Sequence, residues 1–160
     1  AQKNSGVVLD HAGNVVWVKG DYIADFVGPL GNETETEGLK KVCVIGGGVG
    51  CAIALPICKK FHEQGTDVTA IVGFRSKDIV FYEEEFEANC DKLVRTSDDG
   101  TWGEKGVVTV PLERMLEEGE RFDEVIAIGP LIMMKFVSLT CVSLLMSILQ
   151  PVSFADSLAF

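Results

Sequence analysis

The chain has 160 residues, 47% of them apolar, and a formal net charge of −10. This length suits one domain of ordinary size, and the apolar content excludes a disordered chain. The acidic balance argues against a nucleic-acid partner, because binding to phosphates requires a basic surface. The first residues show no basic and then apolar signal peptide, so we expect a cytoplasmic protein.

Five cysteines are spread along the chain, without a C-x-x-C pair and without a histidine close by. They are Cys43, Cys51, Cys58, Cys90 and Cys141. An odd set with this spacing disfavours both a disulfide framework and a zinc site. We therefore expect reduced, buried thiols and no metal site.

The first predicted elements are two short strands. The segments "GVVL" and "VVWV" flank the turn "HAGN" at 11–14, a pattern that predicts a β-hairpin. A glycine-rich, acidic stretch at 28–38 follows and indicates a linker or a boundary loop.

A strand, a glycine turn and a helix come next. The run Val42 to Ile45 predicts a buried strand, three glycines follow it, and Val49 to Phe61 predicts a helix. The free N–H groups and the dipole at the start of such a helix favour a phosphate. For this stretch alone, the alternative is a tight turn that needs glycine for its backbone conformation.

Strands and helices continue to alternate up to residue 130. The expected strands are 67–74, 92–100, a short extended piece at 106–110, and 123–130. A helix is expected at 75–90, with Ile79 and Phe86 facing inward and the acidic run 83–87 in solvent. Pro111 and Gly119 bracket another helix. The alternation predicts an α/β fold with a doubly wound, mainly parallel sheet, which binds ligands beyond the carboxyl ends of its strands.

Four segments carry a resemblance to a known family: "GGGVGCAIALPICKKF", "VGFRSKDIVFYEEEF", "TSDDGTWGEKG" and "IGPLIMM". Their order and spacing resemble the ferredoxin-NADP reductase superfamily. Within it they are most similar to the electron-transfer subunits of dihydroorotate dehydrogenase, sulfide dehydrogenase and NADH-dependent ferredoxin:NADP oxidoreductase. The resemblance implies a ferredoxin reductase-like nucleotide-binding domain at 32–160, preceded at 1–31 by a β-hairpin and the end of a flavin-binding barrel.

The function implied by this resemblance is that of a nicotinamide dinucleotide-binding domain. It would pass hydride from NAD(P)H to FAD in an electron-transfer subunit. FAD and a 2Fe-2S cluster are implied for a full-length protein, with a flavin domain and a partner oxidoreductase subunit. Neither the flavin motifs nor the cluster cysteines of the family occur here, so we expect this chain alone to be inactive. The alternative is a nucleotide-binding regulatory or subunit-contact module without catalysis.

The implied cofactor-binding residues fall in four loops at strand ends. They are Gly46, Gly47, Gly48, Val49 and Gly50; Arg75, Ser76 and Lys77; Asp98, Asp99 and Gly100; and Gly129, Pro130 and Met133. The first loop would contact the pyrophosphate, the second the adenosine ribose or a phosphate on it, and the fourth the nicotinamide half. No catalytic residue is implied, because the cofactors carry the chemistry of hydride transfer.

The choice between NADP and NAD depends on the second of these loops. NAD-specific folds usually place an acid at the end of this strand, whereas Arg75, Ser76 and Lys77 stand here before Asp78. Two cations and a hydroxyl suit a ribose 2′-phosphate, so the pattern favours NADP(H). The alternative is that Arg75 and Lys77 face solvent or pair with the acidic run 83–87.

The last apolar run extends from Phe136 to Leu149 and contains 14 residues. A membrane span needs about 20 residues, so this run predicts a core helix and no membrane contact. The family resemblance ends near Thr140.

Overall fold

The computed structural model describes residues 7–9, 15–18 and 36–148. The chain divides into two compact units, residues 1–35 and 36–160. In the first unit, β1 (Val7–Leu9) pairs antiparallel with β2 (Val15–Val18), which confirms the strands of the predicted hairpin. The hairpin turn, most of the expected linker and the expected end of a flavin barrel lie outside the described residues.

The second unit is built on a five-stranded sheet. Its strands are β3 (Lys41–Gly47), β4 (Asp67–Phe74), β5 (Lys92–Ser97), β6 (Glu104–Lys105) and β7 (Glu124–Ile128). Their order is β6-β5-β4-β3-β7, and every neighbouring pair is parallel. The predicted parallel α/β sheet is confirmed.

Helices cover both faces of this sheet. They are α1 (Cys51–Glu63), α2 (Glu83–Ala88), α3 (Thr109–Glu117) and α4 (Leu131–Ile148). Side chains alternate along a strand. Val42 and Val44 therefore join the buried cluster of α1 and α2, whereas Cys43 and Ile45 join the cluster of α3 and α4. The sheet is thus doubly wound, with one core on each face.

The segment 75–90 departs most from its predicted structure. It contains a 3-10 turn at Lys77–Ile79, an extended Val80, and only the six-residue α2 at its end. Tyr82 has a left-handed backbone with φ of 62°, which interrupts a continuous helix. Phe86 is buried as predicted, but Ile79 is 48% exposed, so the prediction of one helix with both residues inside is wrong.

The expected strand at 106–110 is also wrong. The edge strand β6 ends before this segment, at Lys105, and α3 already begins at Thr109. Pro111 is therefore the third residue of α3, where its missing N–H costs little because the first-turn N–H groups have no partner within a helix. Gly119 follows the helix with φ of 96°, as the sequence predicted.

The helix expected in the last apolar run is confirmed as part of α4, up to Ile148. Val137 is buried, but a stripe of large apolar side chains is half exposed or more: Leu131, Ile132, Phe136, Leu139 and Val142. This helix is therefore not enclosed on all sides, in contrast to the expected core helix. Among the described helices, none combines the length and the apolar character needed to cross a bilayer.

Candidate functional site

A cleft of about 660 Å³ opens at the carboxyl ends of the parallel strands. The chain leaves β3 towards β4 on one side, while β7 pairs with the other side of β3. The strand order therefore reverses beside β3, and open α/β sheets bind ligands in the crevice at such a point. Most of the cleft wall is apolar, and two charged side chains of its lining, Arg75 and Asp98, follow the neighbouring strands β4 and β5.

The glycine turn after β3 forms part of this cleft through Gly47 and Gly48. A Cβ on Gly47 would overlap the sulfur of Met133, so the turn and α4 are in direct contact. Gly48 has φ of 53°, and a Cβ there would enter open space. No side chain caps this turn or the start of α1, and the first turn of α1 has no acidic residue. The free main-chain N–H groups at the start of α1 can therefore bind an anion.

Other glycines of the predicted site bring elements close together and do not line the cleft. A Cβ on Gly46 would lie 2.9 Å from the Cys51 sulfur, and one on Gly50 would overlap the carbonyl of Ile128. A Cβ on Gly129 would likewise lie 2.8 Å from the terminal methyl of Met133 and 3.2 Å from the Cα of Gly47. Val49 is 83% exposed beside the turn. The three glycines therefore allow the close packing around the turn, whereas the Val49 side chain is mostly in solvent.

The polar end of the cleft contains Arg75 and Asp98. The hydroxyl of Ser76 donates to the carboxylate of Asp78, and the N–H of Lys77 donates to Thr101 Oγ1 at 3.0 Å. Among the described residues, neither Arg75 nor Lys77 forms an ion pair. The structure therefore does not show the alternative in which these two cations pair with the acidic run.

The acidic run is occupied by a different arginine. Arg95 Nε donates to Glu83 Oε1 at 2.7 Å, and its terminal nitrogen pairs with Glu87. Glu83 also accepts a hydrogen bond of 3.0 Å from Trp102 Nε1. The expectation of a solvated acidic face is thus wrong for Glu83, which is partly buried and joins α2 to β5 and to the loop after it. Glu87 is exposed as expected, and it pairs with Arg95.

The loop after β5 contains Asp99 and Gly100, which do not line the cleft. Asp99 Oδ1 accepts hydrogen bonds from the hydroxyl of Thr101 at 2.7 Å and from its N–H at 2.9 Å. These bonds lower the pKa of Asp99. A Cβ on Gly100 would crowd the side chain of Lys105. Both residues therefore shape the loop that presents Asp98.

Pro130 and Met133 lie at the apolar end of the cleft, beside Ile132 and Phe136 of α4. The four sequence motifs do not indicate these last two residues. Val107, Val108 and Thr109 also line the cleft, and they lie in the segment predicted to be extended. Phe74 and Thr96 line it too, and their positions at the carboxyl ends of β4 and β5 are a signal that the sequence offers.

The five cysteines are free, and three of them are fully buried. Burial raises the pKa of Cys51 and of Cys58 to about 12, and it raises that of Cys43 still further. Thiolates are therefore not available near the glycine turn at neutral pH. Within the part of the chain that the structure describes, no cluster of His, Cys, Asp or Glu could hold a metal ion.

An uncapped glycine turn at the reversal of strand order, on a doubly wound parallel sheet, is typical of nucleotide-binding α/β domains. No protein-family model matches the chain. It is 46% identical over 121 residues to the dihydroorotate dehydrogenase B (NAD(+)) electron transfer subunit homolog of Thermotoga maritima. That match covers 76% of this chain and 42% of the relative.

Two solved structures support the same relationship. The NADH-dependent reduced ferredoxin-NADP oxidoreductase is 42% identical, with a TM-score of 0.67 over 77% of this chain and 44% of that one. The C-terminal domain of a Pyrococcus furiosus hydrogenase is 25% identical, with a TM-score of 0.57 over 72% and 93%. The chain belongs to the ferredoxin-NADP reductase superfamily, which confirms the resemblance of its four motifs. It spans less than half the length of the first two relatives.

Proposed function

We propose that the chain is the nicotinamide dinucleotide-binding domain of a flavin- and iron-sulfur-dependent oxidoreductase, and that it passes hydride from NAD(P)H to FAD. The observation that carries this proposal is the uncapped glycine turn that opens into the cleft beside β3. Similarity to an electron-transfer subunit and to an NADH-dependent oxidoreductase supports it.

In this proposal the dinucleotide extends across the cleft. The N–H groups at Gly48 and the start of α1 bind the pyrophosphate. Arg75 contacts the adenosine half, and the apolar walls formed by Pro130, Met133 and Phe136 hold the nicotinamide half and exclude water. NAD(P)H supplies the hydride when it is bound, so the residues of this chain serve only to bind and orient it.

Titration calorimetry of the 160-residue chain with NADH, NADPH and ADP-ribose tests the proposal. We expect binding of ADP-ribose and of at least one reduced dinucleotide. A chain that is folded by circular dichroism and gives no heat with any of the three would overturn it.

FAD, a 2Fe-2S cluster and a partner oxidoreductase subunit belong, in this proposal, to the rest of a larger assembly. The assignment of residues 1–31 to the end of a flavin barrel stays a prediction. We expect the purified chain to hold neither cofactor and to show no reductase activity. A flavin absorption band that survives desalting, or the visible absorption of a cluster, would contradict this part of the proposal.

The surroundings of Arg75 lead us to propose NAD(H), whereas the sequence pattern favoured NADP(H). Asp98 lines the same end of the cleft, and the carboxylate of Asp78 is held by the hydroxyl of Ser76. The carboxylate of Asp98, which lines the cleft, opposes a doubly charged 2′-phosphate but accepts hydrogen bonds from ribose hydroxyls, and Asp78 adds negative charge nearby in the chain without lining the cleft. We expect wild type to bind NADH more tightly than NADPH. We expect Asp98→Asn to reduce the ratio of the NADPH to the NADH dissociation constant several-fold. Tighter NADPH binding that is lost in Arg75→Ala would contradict this choice.

A second candidate function is a nucleotide-binding subunit-contact or regulatory module. The exposed apolar stripe of α4 favours it, because such a surface is typical of protein interfaces. Sequencing the full gene distinguishes the two candidates. A flavin-binding motif encoded with this domain would favour the oxidoreductase, and a gene without one would favour the module.

A further inference from the structure

The loop after β5 holds the main chain that carries Arg75. The N–H of Asp99 donates to the carbonyl of Arg75 at 3.3 Å, and the N–H of Lys77 donates to Thr101 Oγ1 at 3.0 Å. These two bonds lie on either side of Ser76, so the segment 75–77 is fixed at both ends by the same loop.

The hydroxyl of Thr101 has a defined direction in this arrangement. A hydroxyl has one proton and two lone pairs. Its proton goes to Asp99 Oδ1 at 2.7 Å, and the N–H of Thr101 donates to the same oxygen at 2.9 Å. An ionised carboxylate only accepts hydrogen bonds, so Thr101 must be the donor to Asp99. The lone pairs of Thr101 Oγ1 therefore remain available to accept the N–H of Lys77.

The side chain of Arg75 extends from this segment. It lines the cleft, and no carboxylate of the described residues pairs with it. A long side chain without a fixed partner loses rotamer freedom when it binds a ligand, so the main chain from which it extends must already be in place. Thr101 is exposed and does not line the cleft, so it can affect the ligand only through its neighbours, which are the segment 75–77 and the loop of Asp99 that presents Asp98.

We propose that Thr101 is a positioning residue for the adenosine half of the dinucleotide. It accepts the N–H of Lys77 while Asp99 holds its proton, and it thereby fixes the main chain from which Arg75 reaches the ligand. This inference rests on the proposed function, and it assigns a role to a residue that does not itself touch the cleft.

Titration calorimetry of the 160-residue chain with ADP-ribose tests it. Thr101→Val keeps the shape of the side chain and removes its hydroxyl. We expect the Kd for ADP-ribose to rise about five- to tenfold, which corresponds to the net contribution of one hydrogen bond. Thr101→Ser restores the hydroxyl and should restore the affinity. Asp99→Asn, which weakens the acceptor, should give a smaller loss in the same direction.

A control substitution is available at the amino ends of β3 and β4, away from the cleft. Thr66 Oγ1 donates to the carbonyl of Leu39 at 3.1 Å, so Thr66→Val also removes one side-chain to main-chain hydrogen bond. We expect it to leave the affinity for ADP-ribose unchanged. If Thr66→Val weakens binding as much as Thr101→Val, a general loss of stability explains the effect and the inference fails.

A double-mutant cycle tests whether Thr101 acts through Arg75. We expect Arg75→Ala to weaken ADP-ribose binding, and Thr101→Val to add nothing in that background. Equal losses in both backgrounds, or a Thr101→Val chain that binds as wild type does, would overturn the inference and leave the proposed function standing. No ADP-ribose binding by wild type would overturn the proposed function, and this inference with it.

Discussion

Two glycines share a backbone conformation and differ in location, so they separate a folding effect from a binding effect. Gly48 and Gly65 have φ of 53° and 79°, and a Cβ at either would meet nothing within 4 Å. Gly48 faces the cleft, whereas Gly65 lies between α1 and the amino end of β4, away from the cleft. Any loss of affinity specific to Gly48 therefore reports on the cleft.

We expect Gly48→Ala and Gly65→Ala each to lower the free energy of unfolding by about 1 kcal/mol, because a left-handed backbone disfavours a Cβ. Only Gly48→Ala should weaken NADH binding, by more than tenfold, since its methyl group would occupy the place that we propose for the pyrophosphate. Urea unfolding and calorimetry on both variants measure the two effects. A Gly65→Ala chain with the same loss of affinity would show that strain alone is responsible.

The glycine turn could be predicted from the sequence, but the role of each glycine could not. A strand followed by three glycines and a helix indicates a phosphate site, and Gly47 and Gly48 do line the cleft. Gly46 and Gly50 are needed for another reason, the close approach of Cys51 and of the carbonyl of Ile128. Ile128 belongs to β7, far along the chain, so its distance from Gly50 cannot be deduced from the local pattern.

Among the elements, α2 and the segment before it depend most on distant contacts. Phe81 packs edge-on against Phe74, with ring centroids 5.2 Å apart. Glu83 receives hydrogen bonds from Arg95 and Trp102, which lie in and beyond β5. Helical periodicity in 75–90 carries no information on these partners. The sequence therefore predicted a single helix where tertiary contacts select an irregular segment and a short one.

We expect Glu83→Ala to lower the free energy of unfolding by about 1–2 kcal/mol, because Arg95 and the indole of Trp102 each lose an acceptor. The neighbouring Glu84 is exposed, so Glu84→Ala should change stability by less than about 0.5 kcal/mol. Urea unfolding of both variants measures the difference.

Fluorescence gives a second readout of the same contact. Trp102 is 7% exposed, and Glu83→Ala should shift its emission to longer wavelength as the ring gains water. The measurement requires a Trp17→Phe background, in which Trp102 is the sole tryptophan. Unchanged emission together with unchanged stability would mean that Glu83 does not hold the loop.

For the whole molecule, acid stability follows from carboxylates that are bonded in the folded state. Hydrogen bonds from Arg114 lower the pKa of Glu104, one from Lys41 lowers that of Glu120, and main-chain N–H groups lower that of Asp123. A lowered pKa contributes stability that is present above the ordinary value of about 4 and is lost as the pH falls through the lowered one.

We therefore expect the free energy of unfolding to change little between about pH 8 and 5 and to decrease below about pH 4. Urea unfolding across this range measures it. Glu104→Gln removes one of these groups, so the decrease should be shallower in that variant. Stability that rises on acidification below pH 4 would show that relief of the net negative charge outweighs these bonds.

The architecture of the sheet could be predicted as a whole, in contrast to its loops. Parallel strands need crossover connections, so alternating strands and helices predict a doubly wound sheet almost independently of the loops. The apolar walls of the cleft come from Val107, Val108, Ile132 and Phe136, at the starts of α3 and α4. These residues belong to two segments that are distant along the chain, and only the folded chain shows that both line the same cleft.

The cysteines divide between the two cores. Cys43 lies in the cluster of α3 and α4, whereas Cys51 and Cys58 lie in the cluster of α1 and α2. A buried thiol reacts with a reagent only after local or global opening of the structure around it. The labelling rate of each cysteine, followed by mass spectrometry in mild denaturant, thus reports which layer opens first. Cys90 and Cys141 are partly exposed and should be labelled before the other three. The native thiols therefore allow the opening of the two faces of the sheet to be followed separately, without an introduced cysteine.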